Sequence, residues 1–369
     1  MKHIFIFGTR PEAIKMAPLI KAFQKDPSQD IVVCVTGQHK EMLDQVLQFF
    51  DISPDYDLQL MGKNQTLYDI TAKALLGLKP ILEKESPDNI IVQGDTTTAF
   101  VGALAGFYEK MKVSHIEAGL RSGSIMSPYP EEGNRILAGH LANMHFAPTT
   151  RAVDNLKKEG IINNVYNVGN TVIDALLLGL ELIEKKGQDE YETFFREIDL
   201  NKKLVLVTGH RRESFGKPFE DMCKAMRDLA SNYPQIELVY PVHLNPNVRN
   251  TVNNILSGLP NINLIEPLSY PHLIWLMNKS YFVLTDSGGI QEEAPALGKP
   301  VLVMRDVTER QEGIEAGTAK LVGTDYNKIV TECEKLLNDV EYYQSMANAV
   351  NPYGDGTTSQ QVLEIVKTL

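Results

Sequence analysis

The chain has 369 residues, of which 43% are hydrophobic and 22% are charged, and its formal net charge at pH 7 is -11. These values are typical of a globular protein long enough for two domains, and the negative charge disfavours nucleic acids and anionic membranes as partners. The three cysteines are scattered along the chain, which argues against a disulfide framework or a cysteine metal site.

Short apolar runs alternate with longer helical patterns from end to end. Apolar runs without polar alternation are typical of parallel strands that are covered on both faces, and helices between them indicate βαβ units. The predicted strands lie at residues 4–7, 31–35, 89–93, 113–117, 144–147, 164–168, 204–208, 236–240, 262–265, 282–285, 301–304 and 320–322. The sequence therefore predicts an α/β protein with two doubly wound, Rossmann-like domains that face each other across a cleft.

The two series of strands separate near residue 170, before a charged stretch at residues 184–203. We therefore predict one Rossmann-like domain at residues 1–170 and a second at residues 171–352. Ligands of open α/β sheets bind at the carboxyl ends of the strands. Functional residues are therefore expected in the loops that follow the strands.

The first of these loops carries a helix start with two cations. Thr9 and Glu12 have the spacing of a capping box, and Arg10 and Lys15 bracket the first turn, where a diphosphate can be held. The alternative is a solvated helix start with two surface cations. Pro18 is expected to kink or end this helix.

Carboxylates follow the third and fourth predicted strands and begin the next helix. Asp95 and Glu117 come at the strand ends, and Glu131 starts an acidic helical turn after a proline. Each has a structural alternative; Asp95, for example, can be a simple helix cap. Carboxylates in different environments take different pKa values and can divide acid and base roles between them. Three acids at consecutive positions on the cleft side therefore indicate acid–base chemistry.

Two segments of the second half indicate an anion site. His210 and Arg211 end one strand and provide cationic and proton-donating groups. Another strand breaks at Ser287, Gly288 and Gly289 into a helix, whose free N–H groups attract phosphate. Two carboxylates just downstream can accept hydrogen bonds from sugar hydroxyls, so the segment suits a nucleotide sugar. The alternative is an ordinary strand-to-helix turn.

Several signatures are absent from the sequence. It has no G-x-G-x-x-G after a strand, no P-loop, no H-E-x-x-H and no paired C-x-x-C, so neither a cofactor nor a metal is predicted. No signal-peptide pattern precedes the first apolar run, and no apolar run approaches the ~18 residues of a membrane span. We expect a soluble, cytoplasmic protein.

Taken together, these motifs resemble the non-hydrolysing bacterial UDP-N-acetylglucosamine 2-epimerases. The matching segments are residues 8–12, 93–95, 117–121, 130–135, 209–213 and 286–293. The resemblance implies a glycosyltransferase-B-like fold, a homodimer, and reversible conversion of UDP-GlcNAc to UDP-ManNAc without a cofactor. It also makes residues 171–352 the UDP-binding domain and implies a helix within residues 353–369 that packs back on the N-terminal domain.

The resemblance also assigns roles to residues. The implied catalytic groups are Asp95, Glu117, Glu131 and His210. The implied substrate-binding residues are Arg10, Lys15, Leu268, Leu273, Ser287, Gly288, Gly289, Glu293 and Arg310. A second, activating UDP-GlcNAc site in some relatives implies a regulatory role for Gln38, Arg211 and His243. The chain departs from common family patterns at Leu273, where relatives often carry Phe, and at Gln311, where they commonly carry Pro.

The expected chemistry is elimination of UDP from carbons 1 and 2 to give 2-acetamidoglucal, followed by addition of UDP with a proton from the opposite face. The product is expected to supply ManNAc for envelope polysaccharide. Three alternatives are a hydrolysing epimerase, which releases UDP and free ManNAc, a retaining glycosyltransferase, which needs an acceptor, and a catalytically silent nucleotide-sugar sensor. The presence of all three acids disfavours the sensor.

Overall fold

The structure, a computed structural model, describes residues 1–37, 40–62 and 65–368. The chain divides into two compact units, residues 1–178 with 353–369 and residues 179–352. Each unit is built around its own parallel sheet, of seven and six strands. The predicted α/β class with two doubly wound sheets is confirmed. No helix in the described ranges has both the length and the apolar character needed to cross a bilayer.

The first unit alternates strands and helices. Its strands are β1 Lys2–Phe7, β2 Asp30–Val35, β3 Tyr56–Asp57, β4 Asn89–Gln93, β5 Lys112–Ile116, β6 Met144–Ala147 and β7 Val165–Asn167. Its helices before the chain leaves the unit are α1 Arg10–Gln24, α2 Lys40–Phe49, α3 Leu67–Glu85, α4 Thr97–Tyr108, α5 Glu131–Leu141, α6 Thr150–Lys158 and the start of α7 Thr171–Lys186.

The second unit repeats this pattern. Its strands are β8 Lys203–Thr208, β9 Ile236–Pro241, β10 Ile262–Ile265, β11 Phe282–Thr285, β12 Val301–Val303 and β13 Ala319–Leu321. Its helices are α8 Asp189–Phe194, α9 Lys217–Asn232, α10 Pro246–Leu256, α11 Tyr270–Lys279, α12 Gly288–Ala296, α13 Gln311–Glu315, α14 Tyr326–Asn338 and α15 Val340–Ala347, with a 3₁₀ turn at Arg212–Ser214. The chain then returns to the first unit with α16 Thr358–Val366.

The strand order shows where ligands are expected. The first sheet runs β3-β2-β1-β4-β5-β6-β7 and the second β10-β9-β8-β11-β12-β13, and all neighbouring strands are parallel. The order reverses between β1 and β4 and between β8 and β11. Ligands of doubly wound sheets bind at such switch points. The loops after these four strands are among those in which the sequence analysis placed functional residues.

Buried apolar side chains fix the strands. In the first unit, Ile4, Ile6, Ile90 and Val92 pack with Val101 of α4. Because side chains alternate along a strand, a strand buried on both faces must be apolar throughout its length. The strands therefore hold the loops at their carboxyl ends on a rigid base.

The structure differs from the prediction at two points. The predicted strand at residues 113–117 ends at Ile116, because Glu117 has a left-handed backbone conformation with φ of 62°. Pro18 was expected to kink or end helix α1, and the helix does not end there but continues to Gln24. A proline removes only one backbone donor from the helical ladder, and Pro18 itself is buried.

Candidate active site

The loop after β1 is fixed by a buried carboxylate. Glu12 is 2% exposed and accepts hydrogen bonds from the N–H groups of Gly8 (3.0 Å) and Thr9 (2.8 Å). It also accepts from the hydroxyls of Thr9 (2.8 Å) and Thr96 (2.6 Å). The predicted capping box is therefore present, and Thr96 ties it to the loop after β4. Burial raises the pKa of Glu12.

Glu117 lies at the end of β5 and is surrounded by donors. Its Oε1 is 2.5 Å from Nζ of Lys15 and 3.3 Å from Nδ2 of Asn170. Its Oε2 accepts from the side-chain amide of Gln93. The predicted diphosphate contact Lys15 thus lies against the predicted catalytic Glu117. Arg10 begins the same helix, α1.

Asp95 is held by helix α5. Its carboxylate pairs with Arg135, and its carbonyl accepts from Nδ2 of Asn134 at 3.0 Å. Nη1 of Arg135 lies 3.3 Å from Oε2 of the buried Glu132. Glu131 stands in the first turn of the same helix. The structure thus connects Asp95 to the helix that carries the third predicted acid.

A buried histidine supports the loop that carries Asp95. Nε2 of His115 lies 2.7 Å from the carbonyl oxygen of Gly94. Burial lowers the pKa of His115 to about 4, so the ring is neutral at pH 7. A carbonyl can only accept, so Nε2 carries the proton. His115 therefore donates to Gly94, the residue just before Asp95.

In the second unit, Asp286 organises the loop after β8. Asp286 is fully buried, and its Oδ2 accepts from the N–H groups of His210 and Arg211, both at 2.7 Å. The imidazole of His210 stacks on that of His243, with ring centroids 5.0 Å apart. Burial and the neighbouring His210 lower the pKa of His243.

The loop after β8 lines a cavity of about 340 Å³. It is lined by His210, Arg211, Arg212, His243, Asn245 and Ser287. Ser287, which was predicted to bind phosphate, thus lines the same cavity as the predicted regulatory residues Arg211 and His243. Gln38, the other predicted regulatory residue, lies outside the described residues.

The start of α12 has the features of an anion site. Gly288 and Gly289 form its first positions after Ser287. A methyl group added at Gly288 would lie 3.5 Å from the guanidinium of Arg310, so this cation faces the helix start. Nε of Arg310 also donates to Glu292 at 2.7 Å. Free N–H groups and a nearby guanidinium favour a bound phosphate.

Three predicted residues remain. Glu293 is buried in α12, and its Oε2 would lie 3.7 Å from a methyl group added at Gly289, so it lies beside the start of that helix. Leu268 and Leu273 are half-buried around the start of α11. Within the described ranges, no group of three or more His, Cys, Asp or Glu residues is arranged to hold a metal ion.

Sequence reasoning missed the residues that hold the acids. Gln93, His115, Arg135 and Asn170 were given no role, although each contacts Glu117 or the Asp95 loop. One usable signal was the spacing in α5. Glu131 and Arg135 are four residues apart and so share a helix face.

Comparison with known proteins gives consistent results. A family model described as UDP-N-acetylglucosamine 2-epimerase matches residues 21–367. The chain is 54% identical over 370 residues to the UDP-N-acetylglucosamine 2-epimerase of Escherichia coli (strain K12), covering 100% of this chain and 98% of that protein.

Solved structures show the same similarity. The UDP-GlcNAc 2-epimerase from Neisseria meningitidis bound to UDP-GlcNAc matches with a TM-score of 0.90 and 48% identity, covering 100% of both chains. The Methanocaldococcus jannaschii UDP-GlcNAc 2-epimerase in complex with UDP-GlcNAc and UDP matches with a TM-score of 0.81 and 33% identity, again over 100% of both chains. These matches confirm the glycosyltransferase-B-like fold.

Proposed function

Because this chain belongs to the UDP-N-acetylglucosamine 2-epimerase family, we propose that it interconverts UDP-GlcNAc and UDP-ManNAc without releasing free sugar. The observation that carries this proposal is the placement of two carboxylates. Asp95 and Glu117 follow the neighbouring strands β4 and β5, and each contacts a cation. Substrate complexes of relatives with UDP-GlcNAc support the choice of nucleotide sugar.

The reaction must invert the configuration at C2 of the sugar, although no adjacent carbonyl acidifies the hydrogen on that carbon. Departure of UDP offers a route: the C1–O bond breaks with its electron pair leaving on UDP, a carboxylate takes the C2 proton, and a C1–C2 double bond forms. UDP then adds back to C1 while a second group gives a proton to the opposite face of C2. This needs two proton-transfer groups; Asp95, Glu117 and Glu131 are the candidates.

The environment of Glu117 suits proton transfer. Attraction to the Lys15 ammonium favours the ionised carboxylate, which is the form that accepts a proton. Arg135 forms an ion pair with the carboxylate of Asp95.

The second unit supplies the nucleotide site in this proposal. Phosphate binds the start of α12 at Ser287, Gly288 and Gly289, beside Arg310. Arg10 adds positive charge and His210 adds a hydrogen-bonding imidazole as the leaving group departs, which stabilises the transition state. The ribose is assigned to Glu293, and the uracil to the segment that contains Leu268 and Leu273.

The direct test is incubation with UDP-GlcNAc alone, followed by proton NMR of the mixture. We expect signals of UDP-ManNAc to grow to a constant ratio with UDP-GlcNAc. Glu117→Gln should slow this at least ~10²-fold, because a positioned acid or base supplies about that much. Appearance of UDP and free ManNAc would instead identify a hydrolysing epimerase. Consumption only when an acceptor is added would identify a glycosyltransferase.

We also propose that the protein is a homodimer. Helices α3 and α4 carry large exposed apolar side chains, including Leu76 (72% exposed) and Tyr108 (59% exposed). Both residues line an apolar groove with Leu75 and Ala105. Burying such a patch against a second copy removes apolar area from water. Light scattering should give twice the 41.2 kDa chain mass.

A cytoplasmic location and a role in supplying ManNAc for envelope polysaccharide complete the proposal. The three cysteines are free and buried, as expected in a reducing compartment. Fractionation of the source cells, with detection of the protein and of UDP-ManNAc in each fraction, tests the location.

A further inference from the structure

Hydrogen bonds through Asn170 connect Glu117 to Tyr353, near the end of the chain. Asn170 is 2% exposed and lies just before α7. Its side-chain Nδ2 is 3.3 Å from Oε1 of Glu117. Its backbone N–H donates to the carbonyl of Tyr353 at 2.7 Å. Tyr353 is the first residue of the segment that returns to the first unit.

Asn170 uses its side chain as both donor and acceptor. Its Oδ1 accepts from the N–H of Val172 at 3.1 Å, at the start of α7. An ionised carboxylate can only accept and a backbone N–H can only donate. The orientation of the amide is therefore fixed: oxygen toward Val172 and nitrogen toward Glu117. The amide of Asn170 meets both demands at once.

The backbone around Asn170 is tightly packed. Gly169 has φ of 88° and Gly354 has φ of 125°. A methyl group added at Gly169 would lie 3.2 Å from both the Tyr353 carbonyl oxygen and the Gly354 Cα. The hydroxyl of Thr358 donates to the Val168 carbonyl at 2.9 Å. The position of Asn170 is thus set by the returning segment.

We propose that Asn170 is a positioning residue for Glu117, fixing the carboxylate and tying it to the point where the chain returns at Tyr353. As a role in catalysis, this rests on the proposed function, in which Glu117 transfers a proton. The physical link between Asn170 and Glu117 does not depend on it.

Titratable groups face Glu117 from the elements packed around it. Lys15 comes from α1. His115 comes from β5, and burial lowers its pKa to about 4, so its ring is neutral at pH 7. Gln93 is an uncharged donor. Replacing the amide of Asn170 by a carboxylate would remove one donor from Glu117 and place a second negative charge beside it. Both changes disfavour the ionised form of Glu117.

The test is a carboxyl titration of protein labelled with ¹³C at the glutamate side-chain carboxyl. The Glu117 signal is assigned by its loss in Glu117→Gln. We expect Asn170→Asp to raise the titration midpoint of Glu117 by at least about one pH unit. Asn167→Asp is the matched control, because Asn167 is an exposed asparagine three residues away whose amide contacts Thr150. It should leave the midpoint unchanged.

Activity gives a second readout. In Asn170→Asp, kcat should fall about tenfold at neutral pH while KM changes little. The acidic limb of the plot of kcat against pH should move to higher pH together with the titration midpoint.

Asn170→Ser, which keeps an acceptor oxygen for α7, is the second variant if Asn170→Asp does not fold. It should shift the titration midpoint of Glu117 in the same direction by a smaller amount. A Glu117 midpoint that is the same in wild type, Asn170→Asp and Asn170→Ser overturns the proposal. If the wild-type protein does not turn over UDP-GlcNAc, the proposed function is wrong. The titration then still tests whether Asn170 contacts the Glu117 carboxylate.

Discussion

Glu117 has a backbone conformation that few residues other than glycine adopt, with φ of 62°. Such a conformation costs about 1–3 kcal/mol and persists where surrounding contacts over-determine it. Here the contacts come from Lys15, Gln93 and Asn170, which belong to three separate parts of the first unit. The strain is therefore located at the carboxylate that the proposed chemistry uses.

A buried histidine outside the site gives a prediction for stability. Burial lowers the pKa of His145 to about 4 from an ordinary 6.5. Between these values the unfolded chain binds the proton and the folded chain does not, so the free energy of unfolding falls as pH drops from 6.5 toward 4. The lowered pKa of His115 also makes the free energy of unfolding fall as pH drops. The pKa values of Glu12 and Asp174 are raised, so these two groups change the free energy of unfolding in the opposite direction.

His145→Phe isolates the contribution of this residue, because the other groups are common to both proteins. Urea unfolding at pH values from 4.5 to 6.5 should show a shallower dependence on pH in the variant. The difference between the two slopes should approach about 1.4 kcal/mol per pH unit, which corresponds to one bound proton. Equal slopes in variant and wild type would contradict a buried, neutral His145.

The sequence singled out the acids but not their partners. Asp95 and Glu117 were found because each follows an apolar strand, a local signal. Lys15 is 102 residues from Glu117, and Arg135 is 40 residues from Asp95. No periodicity connects such positions, since only the strand order brings them together. Their catalytic roles remain predictions.

At the scale of elements, the agreement with the sequence is close. All twelve predicted strands are present, with ends shifted by at most two residues, because long apolar runs between helical patterns have few alternatives. The missed strand, β3, has two residues, too few for any pattern. Local chemistry also predicted the capping box at α1. Of the two expected effects of Pro18, a kink or an end of the helix, the end does not occur.

The start of α12 gives a prediction that separates binding from folding. Gly289 does not have a positive φ, and an added methyl group would meet only Oε2 of Glu293, at an ordinary 3.7 Å. Gly289→Ala should therefore leave the thermal midpoint within about 2 °C of wild type. It should raise KM for UDP-GlcNAc about tenfold or more, because the methyl group blocks the approach of phosphate to the backbone.

Gly139→Ala is the control, since Gly139 is also helical and an added methyl group there meets neighbours at 3.5 Å or more. Its KM should match wild type. If Gly289→Ala also shows a wild-type KM, phosphate does not bind at the start of α12.

At the scale of the whole molecule, the chain leaves the first unit within α7 and returns at Tyr353. The return is anchored by Ser359, whose N–H donates to Asp174 at 2.6 Å, and by the packing of α16 on α1. No local pattern predicted this return; only the resemblance to a family implied it. The predicted domain boundary at 170 precedes α7, whereas the contacts of Asp174 keep the start of that helix in the first unit.

Gly169→Ala should weaken this anchor. The substitution puts alanine at φ of 88°, which costs about 1–2 kcal/mol, and places a methyl group 2.8 Å from the Thr358 hydroxyl. Gly160→Ala is the matched control, with φ of 81° and no atom within 4 Å of the added group. Thermal unfolding should show a larger drop in midpoint for Gly169→Ala. Equal drops would mean that the crowding at the return point has no energetic effect.

In the proposed reaction, a proton leaves and re-enters carbon 2 while the bond to UDP breaks and re-forms. The decisive measurement is turnover of UDP-GlcNAc in heavy water, followed by proton NMR and mass spectrometry. We expect UDP-ManNAc with one deuterium at carbon 2 and no accumulation of free ManNAc. UDP-ManNAc that forms without deuterium would contradict it.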